Sequence, residues 1–178
     1  FIFAAAVNIL KNLTYYENRG KKLGDIIETI KNLKVKIEDS ADVSELMGIE
    51  GNIRENYYKA FDIILNQDLE FEKRTKQPPE NIINCLISFG NSICYTTVLS
   101  EIYKTQLNPL ISFLHEPGER RFSLSLDIAE IFKPLLIDRI IFKLINNRML
   151  TEKDFDVNLN YCYMSDKAKK IFLKEYDD

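Results

Sequence analysis

Asn81-Ile-Ile-Asn-Cys-Leu-Ile-Ser-Phe-Gly-Asn-Ser-Ile-Cys-Tyr-Thr-Thr-Val-Leu-Ser-Glu-Ile-Tyr-Lys-Thr105 reads as one long helix. Its apolar residues, Ile82, Ile83, Leu86, Ile87, Phe89, Ile93, Val98, Leu99 and Ile102, cover much of the helical circumference. A helix of that kind belongs at the centre of a bundle. Asn84, Ser88, Asn91 and Tyr95 form a polar seam on it at helical spacing. Such a seam either lines a site or is a set of satisfied core polar groups. The whole chain agrees with a helical reading. It has 178 residues, enough for one domain with a real core. It is rich in Ile, Leu, Lys, Glu and Asn, with only 6 Gly and 5 Pro, which favours helices over a sandwich or barrel.

Upstream, residues 1–16 and 25–37 carry apolar stripes at helical spacing, joined across Gly20 and Gly24. Asp39-Ser-Ala-Asp-Val-Ser44 is a helix start signal, with Ser40 or Asp42 as the N-cap. The helix that follows contains Gly48-Ile-Glu50-Gly-Asn-Ile-Arg54-Glu-Asn-Tyr-Tyr58. Each glycine costs about 1 kcal/mol in a helix interior relative to alanine, so a close approach by another helix or by a ligand backbone is expected there. Arg54, Tyr57 and Tyr58 stand on or near the face of Glu50. Residues 67–79 form a polar loop, with Pro79 suited to the first turn of the next helix. Downstream, a helix starts near Ser123, Pro134 kinks or breaks it near Ile131, and a last amphipathic helix covers residues 165–176.

Several classes are set aside by composition and motif. A net charge of −3 leaves a nucleic-acid partner to be met by local patches. Cys85, Cys94 and Cys162 have no paired spacing, which suggests a reducing, cytoplasmic compartment. The apolar opening run is broken by Asn8 and Lys11, too early for a membrane span. With no initiator Met, the chain is expected to begin inside a larger protein. There is no Gly-rich phosphate loop and no nucleophile elbow.

The only histidine, His115, precedes a turn at residues 116–121, and Asp127 and Glu130 follow early in the next helix. Three residues apart, the two acids share a helical face. One imidazole and two carboxylates facing one point make a divalent-metal site. The plainer alternative is a hydrogen-bonded loop histidine and two acids placed for the helix dipole.

Gly48-Ile-Glu50-Gly, then Asn84 to Asn91, Phe113-Leu-His115 and Asp127-Ile-Ala-Glu130-Ile-Phe-Lys-Pro134, in that order, resemble the CRISPR-associated endonuclease/integrase family (Cas-one), the catalytic subunit of spacer acquisition. The resemblance covers residues 1–147. It implies an all-α, single multi-helix catalytic domain over residues 1–178, without the family's N-terminal β domain. It places metal ligands at Glu50, His115 and Glu130, with Asp127 as a supporting acid of the catalytic set. The implied cofactor is Mg²⁺ or Mn²⁺, because oxygen ligands with one imidazole suit these better than structural Zn²⁺. Arg54, Arg120 and Arg121 are candidates for DNA phosphate contacts.

The implied partners are DNA, as protospacer and CRISPR repeat, a second copy in the full-length protein, and a small ferredoxin-like subunit, with no membrane. The implied reaction is attack of a DNA 3′-hydroxyl, or of water, on a phosphodiester. Ser112 stands where Gly is common and Lys133 where Arg is common. Without the β domain, this chain alone is expected to bind DNA weakly and not to join two repeat ends. The rival expectation is a non-enzymatic helical interaction domain, in which Glu50, His115 and Glu130 never meet.

Overall fold

The computed structural model describes residues 1–66, 71, 74–75, 78–115, 122–158 and 161–177. Helix α1 spans Ile2–Glu17, α2 Gly24–Lys36, α3 Val43–Ile64 and α4 Ile82–Ile102. Helix α5 spans Ser123–Lys133 and passes through a π-helical turn, Pro134–Asp138, into α6, Arg139–Asn146. A 3₁₀ turn, Glu152–Asp154, leads to a hairpin of β1, Phe155–Asn158, and β2, Tyr161–Met164, and then to α7, Asp166–Asp177. The fold is helical, as the sequence indicates. The antiparallel hairpin is its one departure among the described residues, and it pairs Phe155 with Met164 and Asn158 with Tyr161.

The caps follow the start signals. Asp42, not Ser40, caps α3, accepting from Glu45 N at 2.8 Å, while Glu45 returns a bond to Ala41 N at 2.8 Å. Asn81 caps α4, accepting from Asn84 N at 2.8 Å. Pro79 therefore lies outside the helix, where its carbonyl accepts from Cys162 N and ties β2 to the start of α4.

The rod formed by α5, the π turn and α6 runs between α1 and α4. Pro134 removes one backbone donor and so disturbs the helical ladder around it. Asn8 and Asn12, one turn apart on α1, donate to the carbonyls of Ile131 and Pro134 at 2.9 and 2.5 Å. The break therefore begins at Pro134, not near Ile131, and takes π form, with side-chain donors from the neighbouring helix supporting it. Behind the rod the core is aromatic and aliphatic. Phe61 and Phe142 meet edge to face at 4.7 Å, and Ile9, Leu13, Ile83, Leu86 and Ile87 are buried around them.

Helix α4 is buried over most of its first half, from Ile82 to Gly90, and carries exposed Ser92, Thr96, Thr97 and Ser100 beyond it. By length and a mean hydropathy of 1.4 it is the one described helix that could cross a membrane, but its apolar side packs in this core. The three cysteines are free and buried.

The close approach expected at Gly48 and Gly51 is not made by any described part of the protein. A Cβ at either would meet nothing within 4 Å. The crowded glycine is Gly90, where a Cβ would stand 2.4 Å from Ile137 Cγ2 and 2.9 Å from Phe172 Cζ. Gly90 thus lets α4 approach the π turn and α7. Gly48→Ala should raise stability by about 0.5–1 kcal/mol through helix propensity. Gly90→Ala should lower it by about 1–2 kcal/mol, overpacking outweighing the same propensity gain. Urea midpoints moving in opposite directions, at unchanged m, are the expected result.

Candidate active site

One face of α3 carries Glu50, Arg54 and Tyr58 at intervals of four, and α4 carries Ser88, Asn91 and Tyr95 at helical spacing. With His115 and with Glu130 and Lys133 of α5, these side chains line a cleft of about 1150 Å³. The polar seam of α4 therefore lines a site at three of its four positions. Asn84 is fully buried below it and accepts from Arg74 Nη1 and Thr75 N, both at 3.0 Å.

Asp127, expected as a supporting acid of the catalytic set, makes three hydrogen bonds, one of them to His115. Asp127 is fully buried. Its Oδ2 accepts from the backbone N–H of Phe113 and Leu114 at 2.7 and 3.0 Å. Its Oδ1 lies 2.6 Å from His115 Nδ1. A carboxylate only accepts, so in the neutral ring Nδ1 carries the hydrogen and Nε2 keeps its lone pair. One buried acid thus fixes both the loop that brings His115 to the cleft and the ring's tautomer.

Glu50 and Glu130 come together over a cation supplied by the chain. Arg54 donates through Nε to Glu50 Oε1, and its Nη2 pairs with Glu130 Oε2. Lys133 holds the other oxygen of Glu130 and donates to the Tyr95 hydroxyl at 2.5 Å. Its ammonium also lies 4.5 Å from the Tyr95 ring centroid, in cation–π range. Arg54 stands between the two glutamates, and no three His, Cys, Asp or Glu side chains among the described residues close on one point: the expected convergence of Glu50, His115 and Glu130 is not present.

The residues nevertheless fit a divalent ion. Two carboxylates from different helices already enclose a positive charge, and Glu130 Oε2 is buried without a properly directed hydrogen-bond donor. The imidazole lining the same cleft presents a second-nitrogen lone pair. Arg54, expected as a phosphate contact, is thus engaged by carboxylates. Arg120 and Arg121 lie outside the described residues.

The electrostatics beneath the cleft are tightly balanced. Burial alone would lower the Arg54 pKa, but Tyr58 and Glu50 outweigh it and the net shift is upward. Burial, then Arg54, pulls the Lys133 ammonium down. Asp138, at the end of the π turn, is 4 % exposed. Its carboxyl is pushed up to about 6 by burial, against the pull of Arg54, Tyr57, Lys133 and Arg74. The fully buried Tyr57 donates to it and receives Asn12 Nδ2 at 3.3 Å.

Lys133, Asp138, Arg74 and the Asn8–Asn12 pair were not singled out as site residues from sequence. Asp138 had a readable signal, an acid on the apolar stripe of Ile137 and Ile141. Arg74 had none, since it sits in a polar loop.

Asp138 gives a pH dependence with a definite sign. Its folded pKa, about 6, lies above the ordinary 3.8. Between these values the folded state holds a proton that the unfolded state has released. The stabilisation is complete below about pH 4 and is lost as pH rises through about 6. The urea-midpoint difference between wild type and Asp138→Asn should therefore move against wild type from pH 4 to pH 7. A constant difference would contradict the burial argument.

Comparison with known proteins agrees with the helical fold. The family model for CRISPR associated protein Cas1 matches residues 1–178. A CRISPR-associated endonuclease Cas1 of Fusobacterium nucleatum is 52 % identical over the whole of this chain and 53 % of its own length. A CAS1 protein structure from Thermotoga maritima superposes with a TM-score of 0.84 at 43 % identity, over 99 % of this chain and 56 % of that one. A chain of a partial Cas6-RT-Cas1–Cas2 complex, 22 % identical, shares the fold with a TM-score of 0.91 over 99 % of this chain and 54 % of its own. The chain thus spans about half the length of the curated relatives it matches. By family model and by identity to these relatives, the chain belongs to the CRISPR-associated Cas1 family.

Proposed function

We propose that this chain is the catalytic part of a divalent-metal-dependent DNA endonuclease and integrase that inserts spacers into CRISPR arrays. The observation that carries this reading is the meeting of Glu50 and Glu130 over one cation in the cleft that His115 also lines. A helical interaction domain needs no such enclosure, and its groove would be apolar rather than charged.

Glu50, Glu130 and His115 Nε2 are the residues that would hold Mg²⁺ or Mn²⁺. Such an ion supplies Lewis-acid polarisation of a phosphodiester and offsets charge on the leaving oxygen. The protein's own contribution is positional. Asp127 engages the imidazole through Nδ1, so Nε2 is the nitrogen that would ligate. Lys133, itself tied to the Tyr95 hydroxyl, holds Glu130. Arg54 is the residue that gives way, and its planar fork then suits a phosphate oxygen. Gly51, with open space above it, leaves the α3 wall bare beside Glu50, so a nucleic-acid backbone can come close. A DNA 3′-hydroxyl as nucleophile gives joining and water gives cleavage. In the longer protein, the resemblance to the family supports a homodimer docked on a small ferredoxin-like subunit, acting on protospacer and repeat DNA.

Alanine at Glu50, His115 or Glu130 in the full-length protein should reduce Mn²⁺-dependent cleavage and joining of labelled DNA by more than about a hundredfold, since three ligands leave none to spare. Asp127→Ala, which loosens the imidazole without removing a ligand, should cost about 10–100-fold. Wild-type rates in His115→Ala protein would contradict the assignment.

A further inference from the structure

The cations of the cleft fall into two kinds. Arg54 is taken by Glu50 and Glu130, Lys133 by Glu130, and Lys59 pairs with Glu55 at 3.1 Å. Arg74 alone among the cleft's described cations has no carboxylate partner. Its Nη1 donates to Asn84 Oδ1 at 3.0 Å and to the Thr75 carbonyl, its Nη2 to Ser88 Oγ at 2.9 Å, and its guanidinium also meets the Tyr58 hydroxyl. Every one of these acceptors is a neutral oxygen. Asp138 acts on it only as the last of its electrostatic neighbours.

A partly desolvated guanidinium without a counter-charge is costly, and burial does lower its pKa. The same four neutral contacts hold the fork still, so little freedom is left to lose when an anion arrives. One turn beyond Ser88, Asn91 lines the cleft and its side chain makes no hydrogen bond among the described residues. It is a second donor with its capacity unused.

We propose that Arg74, with Ser88 and Asn91 on the α4 wall, forms a binding subsite for a backbone phosphate of a nucleic-acid strand lying in the cleft. The inference rests on the cleft being a nucleic-acid site. It adds a contact on the α4 side of the cleft, made by residues other than the three that would hold the ion. A phosphate here satisfies the one unpaired charge and uses the fork bidentately. The Arg74 contact positions the strand relative to Glu50 and Glu130 without taking part in the bond exchange.

The test is fluorescence anisotropy of a short labelled single-stranded oligodeoxynucleotide with EDTA present, so that no metal contributes. Arg74→Gln is expected to weaken binding about tenfold, the value of one charge-assisted contact. It should also lower the slope of log affinity against log salt by about 0.7, one phosphate's share on a single strand. Arg74→Lys should keep the slope and lose part of the affinity, because it keeps the charge without the fork. Arg74 also ties its loop to α4, so Asn91→Asp serves as a second variant. It leaves the loop intact and offers Arg74 a competing carboxylate, and it too should weaken binding at an unchanged urea midpoint. Wild-type affinity and slope in both Arg74→Gln and Asn91→Asp would overturn the subsite alone. No binding by the wild-type chain even at low salt would overturn the nucleic-acid reading of the cleft together with the subsite.

Discussion

A single guanidinium holds two carboxylates from separate helices, and the cleft is organised around that meeting. Glu50 on α3 and Glu130 on α5 would repel at such proximity in a site shielded from water. Arg54 removes the repulsion with one planar group that reaches both. Removing one partner of a buried pair leaves an uncompensated charge, at a cost of about 3–5 kcal/mol. Only another cation of comparable or greater charge can take the place of Arg54 without that loss. A divalent ion satisfies the requirement, and His115 adds a neutral ligand without upsetting the balance.

The backbone that brings α5 to this point depends on features well away from the cleft. Asn8 and Asn12 satisfy the carbonyls of Ile131 and Pro134, where α5 passes into the π turn. Before the π turn this supports, Glu130 and Lys133 line the cleft, and at its end Asp138 is buried against Tyr57. The side-chain bare Gly90 lets α4 close on the turn from the other side. The same rod thus sets the position of the acids in the cleft and of the buried acid that balances its cations.

Much of this was legible in the sequence because it is local. The cap at Asp42, the apolar phase of each helix and the interruption that Pro134 imposes follow from residues a few positions apart, although the start of α4 at Asn81 and the place of the interruption were read a few residues off. The sequence put Asp127 near His115 as one of two acids beside it, but the hold of Asp127 on His115 Nδ1 and on the backbone N–H groups of Phe113 and Leu114 is encoded by no side-chain pattern. What stayed hidden is non-local. Arg74 acquires its meaning from Asn84 and Ser88, which only the fold puts beside it. Arg54 was expected to meet phosphate because nothing in the chain order says that Glu130 lies across from it. The hairpin was missed because Phe155 to Asn158 is only four residues long and half polar, and its partner strand is held by Pro79, more than eighty residues earlier.

The most direct test is a Mn²⁺ titration of crystals of this chain, followed by anomalous difference density at the manganese edge. The account predicts one strong peak bonded to Glu50, Glu130 and His115 Nε2, with Asp127 still on Nδ1 and the Arg54 guanidinium moved off Glu130 into the cleft. A peak elsewhere, or saturating Mn²⁺ with Arg54 still bridging the two glutamates, would contradict it.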